Sequence, residues 1–399
     1  MGKTPGEFLY RDVTMTSKQR FLAAINRETP DRLPVTTHHV LPYFLKTQMN
    51  GISYQEFFDY FGLDPINWVV AYKPDPSRRE YFDPEQGELG FLEPPRICSD
   101  NWRIKTEEIP DPKYKTVRFN FETPKKNLSM VLQSDEHTTW VTERLIKDKA
   151  DIDIIAEFFT VPLCDVEEIN KQAEAFGEKG MIRGFIPGFD VYGQPGCWQD
   201  AAVLYGIEQL ILETFHDPQW VHTLLKILKN RKKAYVSSME GAKFDIVEHG
   251  GGDASSTVIS PKIFDEFVAP YDAELIELAH KAGQCVVYHT CGGMMPLLEK
   301  IADMNPDAAE TFTPPAIGGD ADLKEAKKRI GDRLCIIGGF DQFHYFKDCT
   351  PEDTRQEVRR CFEEAGDGGG YILAPSDHFF NAEIKLLRAY AEEARKCEY

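Results

Sequence analysis

The chain reads as an α/β protein: a (β/α)8 barrel of the TIM type with an N-terminal helical extension and a β-rich insertion. Eight short apolar runs begin near residues 33, 64, 181, 243, 284, 307, 333 and 370, with helical stretches between them. Strand–helix alternation sustained over this length argues for a closed parallel barrel. A doubly wound open sheet is the competing architecture, and it usually carries a glycine-rich phosphate loop after its first strand. The corresponding segment, "PVTTHHVLPY", has no glycine. A length of 399 residues suits one such barrel with additions, so residues 1–399 read as a single unit.

The elements follow in order. Residues 1–30 form the extension, with a helix in "TSKQRFLAAINRE" that Thr16 or Ser17 can cap. "DRLPVTTHHV" is a turn and then the first strand, taken over residues 33–40. "SYQEFFDYFG" is helical and "DPINWVVAY", residues 64–72, is the second strand. Residues 73–150 break the rhythm with short alternating segments such as "YKTVRFNFET", the pattern of half-buried antiparallel strands, and are read as the insertion. "MIRGFIPGF", "KFDIVEHGGGD", "QCVVYHTCGG", "DAAETFTP", "RLCIIGGFD" and "GGYILAPSD" supply strands three to eight. Ser260 and Pro261 start one intervening helix and Gly331 ends another.

Bulk charge narrows the function classes. Lys plus Arg is 46 against 65 for Asp plus Glu, a net charge of −19, which repels phosphate backbones and anionic lipid headgroups. No nucleic-acid and no membrane partner is expected. No apolar run is long enough to span a bilayer, and "MGKTPGEFLYRDV" lacks the apolar stretch of a secretory signal. Nine scattered cysteines, an odd number, read as reduced thiols and so as a cytoplasmic protein. Neither "GGGD" nor "GGF" fits a nucleotide-binding glycine motif.

Barrel enzymes carry their chemistry at the C-terminal ends of the strands. Those ends offer His38 and His39, Tyr72, Asp190 and Tyr192, then Glu248, His249 and Asp253. Later ends add His289 and Cys291, Glu310, Asp341, and finally Ser376, Asp377 and His378. His289 and Cys291 are two apart and so share one side of a strand. Imidazole and thiolate are ligands that zinc prefers. A third ligand must come from elsewhere, with Asp377, His378 or His249 as candidates. Asp253, Glu310 and Asp341 follow apolar strands and are the acid–base candidates, because desolvation raises a carboxyl pKa. His38, Tyr72, Tyr192 and His249 are candidates for contacting substrate. As neighbours on a strand, His38 and His39 should face opposite ways, so only one is expected in the mouth.

The second half of the chain resembles the uroporphyrinogen decarboxylase superfamily. The resemblance rests on "RGFIPGF", "ISPKIFDEFVAPYDAELIELAH", "VVYHTCGG", "IIGGFD" and "GGYILAPSD", with "DRLPV" ahead of the first strand. It implies a (β/α)8 barrel. True uroporphyrinogen decarboxylases resemble one another in an arginine-rich segment after the first strand, where this chain has "VTTHHVLPYFLK" with no arginine. The chain looks closer to the cobalamin-linked methyltransferases of the methylcobamide:coenzyme M type. Those bind zinc through an H-x-C pair and a later cysteine. His289 and Cys291 match the pair, while Asp377 stands where the later cysteine is expected. The resemblance therefore implies a zinc-dependent methyltransferase, moving a methyl group between a corrinoid on a partner protein and a small donor or acceptor. Metal ligands are expected among His289, Cys291, Asp377 and His378. The alternatives are a metal-free decarboxylase or lyase acting on a small carboxylic acid, and a barrel that binds without turnover.

Overall fold

The computed structural model describes residues 14–87 and 95–399. A parallel sheet joins seven strands in chain order: Ile66–Trp68, Met181–Phe185, Ile246–Gly250, Val286–His289, Ala308–Thr311, Cys335–Gly338 and Tyr371–Ile372. These are the second to eighth barrel strands. The first is reduced to one bridging residue, Val35, paired in parallel with Leu373. Its neighbours close the ring: Thr36 donates N–H to Leu373 O at 2.9 Å, and Asp64 donates N–H to Val35 O at 2.8 Å. The expected strand over residues 33–40 is thus much shorter than its β-branched run suggested. The predicted second strand also shrinks. After Trp68 the chain leaves the sheet, and Tyr72 pairs antiparallel with Cys164 instead.

Side-chain anchors hold this sparse edge. Of the two caps the sequence offered, Thr16 is the one used, and it caps the helix Ser17–Ile25 reciprocally with Gln19. That helix buries Arg20, which reaches Asp31 at 2.7 Å and Asp64 at 2.7 Å. Asp64 also takes Arg32 at 2.9 Å and accepts the Val35 N–H at 3.0 Å. One buried carboxylate so ties the N-terminal helix to the first strand.

Elsewhere the pleat rules. Strand interiors such as Ile246, Val247, Val286, Val287, Ala308, Ala309, Ile336 and Ile337 are buried, as expected of a parallel sheet covered on both faces. Ser260 caps the helix start at Pro261, and Gly331 follows the helix Leu323–Ile330. Between the second and third barrel strands lies a four-stranded antiparallel sheet, Arg103–Ile109, Lys115–Glu122, Leu128–Ser134 and Thr139–Glu143. It matches the predicted β-rich insertion. Residues 1–13 of the predicted extension lie outside the described residues. Among the described residues no helix is long and apolar enough to cross a membrane.

Candidate active site at the barrel mouth

Period-two alternation decides what enters the mouth. Phe185 is in register with Glu248, and His289 with Glu310, so these side chains face the barrel interior together. Arg183, two residues before Phe185, shares that face. His249 is in register with Tyr288 on the other face. There His249 Nε2 lies 3.0 Å from Asp272 Oδ1, and Tyr288 donates its hydroxyl hydrogen to Asp272 Oδ2 at 3.1 Å. The expectation that His249 contacts substrate or metal is therefore corrected. It packs between strand and helix, and its neighbour Glu248 takes the interior position.

The floor is one ionic network. Arg183, 1% exposed, donates to Glu248 Oε2 at 2.6 Å and to Glu310 Oε2 at 2.9 Å, and also contacts Glu310 Oε1. His38 Nε2 sits 3.2 Å from each of the two carboxylates. Trp68 stacks on the guanidinium, 4.5 Å from ring centroid to Cζ, and donates its indole N–H to His38 O at 3.0 Å. A planar cation that forks to two carboxylates and stacks on an aromatic face suits arginine far better than lysine. Burial alone would raise both carboxyl pKa values. Arg183 and His38 outweigh it, bringing Glu248 down to about 2 and Glu310 well below the usual carboxylate range.

His289 links the floor to the cavity. Its Nδ1 lies 2.9 Å from Glu310 Oε1. An ionised carboxylate can only accept, so Nδ1 carries the hydrogen and Nε2 remains the ring's other coordinating atom. Burial opposes protonation of the ring, yet contact with Cys291 and Glu310 holds its pKa well above the ordinary value. Burial likewise opposes a charge on His38, and Glu310 restores it. On the opposite wall burial wins: His378 falls to about 4 and His39 goes well below the ordinary imidazole range.

Above the floor opens a cavity of about 530 Å³ whose walls include His38, His39, His289, Cys291, Asp377 and His378. The four predicted metal-ligand candidates thus share one cavity. Both neighbouring histidines enter it, against the one-in, one-out expectation. No ladder beyond Val35 imposes a pleat there, and the rings of His38 and His39 approach to 4.1 Å between centroids. Among the described residues two groups have ligand atoms within 4.8 Å of one another: His38, His39 and His378; and His38, Glu248, His289 and Glu310. Cys291 and Asp377 belong to neither, and lie instead on the cavity wall.

The other candidates divide. Asp253 lines the same cavity and accepts from Gln199 Nε2 at 2.9 Å, and burial raises its pKa. Glu310 is in the site but is bound up with Arg183. Asp341 is not at this mouth. It caps the short helix Gln342–Tyr345, accepting the His344 N–H at 3.1 Å, and borders a different cleft. Tyr72 and Tyr192 line a second cavity against the inserted sheet. Sequence reasoning passed over Arg183 and Trp68, and named Glu248 at a strand end without giving it a role. The available signal was Arg183 itself, a lone cation inside the apolar run "MIRGF".

The family model described as uroporphyrinogen decarboxylase (URO-D) matches residues 193–396. The chain belongs to that family. A uroporphyrinogen decarboxylase from Psychromonas ingrahamii is 30% identical over 205 residues, 48% of this chain and 53% of that one. A methylated-thiol–coenzyme M methyltransferase from Methanosarcina mazei is 24% identical over 196 residues, 49% of this chain and 50% of that one. The chain spans about half the length of the curated relatives it matches. The solved structure of a methyltransferase from Methanosarcina mazei superposes with a TM-score of 0.57 at 16% identity, covering 96% of this chain and 99% of that one. That likeness speaks for the fold, a TIM-type barrel.

Proposed function

We propose that this URO-D family member is a methyltransferase that holds a zinc ion at the barrel mouth and exchanges a methyl group between a partner-borne corrinoid and a small donor or acceptor. The supporting observation is the Glu310–His289 pair beside Cys291. A carboxylate that fixes a histidine tautomer and turns its other nitrogen toward a thiol is the usual outer support of a metal-binding imidazole. His289 and Cys291 would hold the ion, with His378 or Asp377 as the third ligand and one position left open for the acceptor. The buried Nδ1 of His378 makes no hydrogen bond among the described residues and lies 3.4 Å from Asp377 Oδ1, which fits a ring whose polar atoms await a ligand. Zinc bound there would supply a Lewis acid that favours the deprotonated form of a bound acceptor near neutral pH.

The chain's own residues do the rest. Glu310 keeps the proton on His289 Nδ1. Arg183 keeps Glu310 and Glu248 ionised, so neither competes for that proton. Asp253, its pKa raised by burial, accepts from Gln199 at the cavity wall. The metal-free decarboxylase reading, favoured by the names of several relatives, needs cations facing a substrate carboxylate. The residues lining this cavity include no arginine or lysine. Arg183 lies beneath them, its two terminal nitrogens engaged by the two glutamates.

The test is elemental analysis of protein purified without chelators. About one zinc per chain is expected, as for a catalytic set of protein ligands with one open position. His289→Ala and Cys291→Ala should each lose it while remaining folded. The loaded protein should demethylate free methylcobalamin, followed by absorbance. Protein without stoichiometric metal overturns the reading.

A further inference from the structure

The second cavity, about 540 Å³, lies between the inserted sheet and the loop after the third barrel strand, and its size is that of a small-molecule site. Alternate residues of one sheet strand, Lys115, Val117 and Phe119, form one wall. They lie opposite Ser134, Leu132 and Met130 on the next strand. Phe189 and Tyr192 face them from the barrel loop. Aromatic rings thus face one another across the cavity, and Tyr192 is fixed by donating its hydroxyl hydrogen to Thr139 O at 2.9 Å.

Charge sets this cavity apart. Lys115 makes no ion pair among the described residues, although the chain as a whole carries −19. Arg96, 8% exposed, sits with Cζ 5.7 Å from the Phe119 ring centroid. One guanidinium nitrogen meets Asp83 at 2.9 Å, but its buried Nε has no hydrogen-bond partner among the described residues. Asp190, the acid among the lining residues, is taken up by Trp102 at 3.0 Å, Thr160 at 3.2 Å and Arg231 at 2.5 Å. The cavity thus presents aromatic faces, an exposed Lys115 with no ion pair among the described residues, and an Arg96 paired with Asp83 through one nitrogen only. Gln194 borders both this cavity and the one at the barrel mouth, so the two adjoin.

We infer that this second cavity binds a planar organic acid, its ring against Phe119 and Phe189 and its anionic group toward Lys115. Ring stacking and a charge-assisted hydrogen bond are the two attractions such walls supply. The bound acid lies beside Gln194, which also borders the barrel mouth. That it is the small-molecule partner in methyl transfer rests on the function proposed above.

The test uses the full chain and benzoate as probe, with binding read by calorimetry. Benzoate should bind, and benzamide, its uncharged isostere, should bind about tenfold more weakly, as the loss of one charged hydrogen bond implies. Lys115→Glu should weaken benzoate by at least about tenfold. Val117→Trp, which fills the cavity, should abolish binding. Cys291→Ala should leave benzoate affinity unchanged while losing zinc, and Lys115→Glu should retain zinc, so failure of either reading shows separately. Absence of benzoate binding, equal binding of benzamide, or affinity indifferent to Lys115→Glu and Val117→Trp overturns the assignment.

Discussion

The floor of the barrel mouth and the cavity beneath the inserted sheet both contain arginine, but they dispose of charge in opposite ways. Arg183 is wholly buried and shared between two carboxylates with the His38 ring at hand. Arg96 is only half engaged, and Lys115 nearby is not engaged at all. Charge compensated by buried ion pairs fixes positions inside a fold, although the Arg183 Nε, like that of Arg96, makes no hydrogen bond among the described residues. Uncompensated charge on a cavity wall recruits a ligand. The first region is a support and the second a receptor.

Arg183→Met gives the largest expected effect. It leaves Glu248 and Glu310 buried without their cation, a loss of about 3–5 kcal/mol of folding stability, read from urea denaturation. If the variant keeps wild-type stability, the floor is not a support. A pH series sharpens the same point. The Glu248 pKa is about 2 in the fold against 4.5 ordinarily, so its contribution is complete above the unfolded value and disappears as pH falls through the folded one. The stability gap between wild type and Glu248→Gln should therefore shrink between about pH 5 and pH 2. A gap independent of pH would show that Glu248 is not held ionised. The smallest effect belongs to a residue outside both regions. Asp341→Ala removes a helix cap and should cost about 1 kcal/mol, with zinc content unchanged. Loss of metal in that variant would return Asp341 to the site.

Much of the mouth was legible in the sequence, for a physical reason. The fourth to sixth strands are regular and buried on both faces, so apolar runs and strand ends mark where His289, Cys291 and Glu310 emerge. His249 and Glu248 show the limit of that reading. Both stand at one strand end, and only the pairing register tells which faces inward. Asp341 shows another limit, because a carboxylate after a strand serves equally well as the cap of the next helix. Tyr72 and Tyr192, expected to contact substrate at the barrel mouth, line the neighbouring cavity. The inserted sheet that forms the other wall could be read as strands, while its docking position could not. Arg183 was visible throughout, yet a cation within an apolar strand declares its role only when its partners on two other strands are known.

The single paired residue at Val35 has a wider consequence. Seven staves of the barrel are bound by the pleat, where one inserted or deleted residue would turn every later side chain over. At the eighth stave the segment that carries His38 and His39 answers to no such rule, and the ring is closed instead by a helix and a buried carboxylate behind it. This is the place where a barrel can exchange what it shows its substrate and leave its hoops intact.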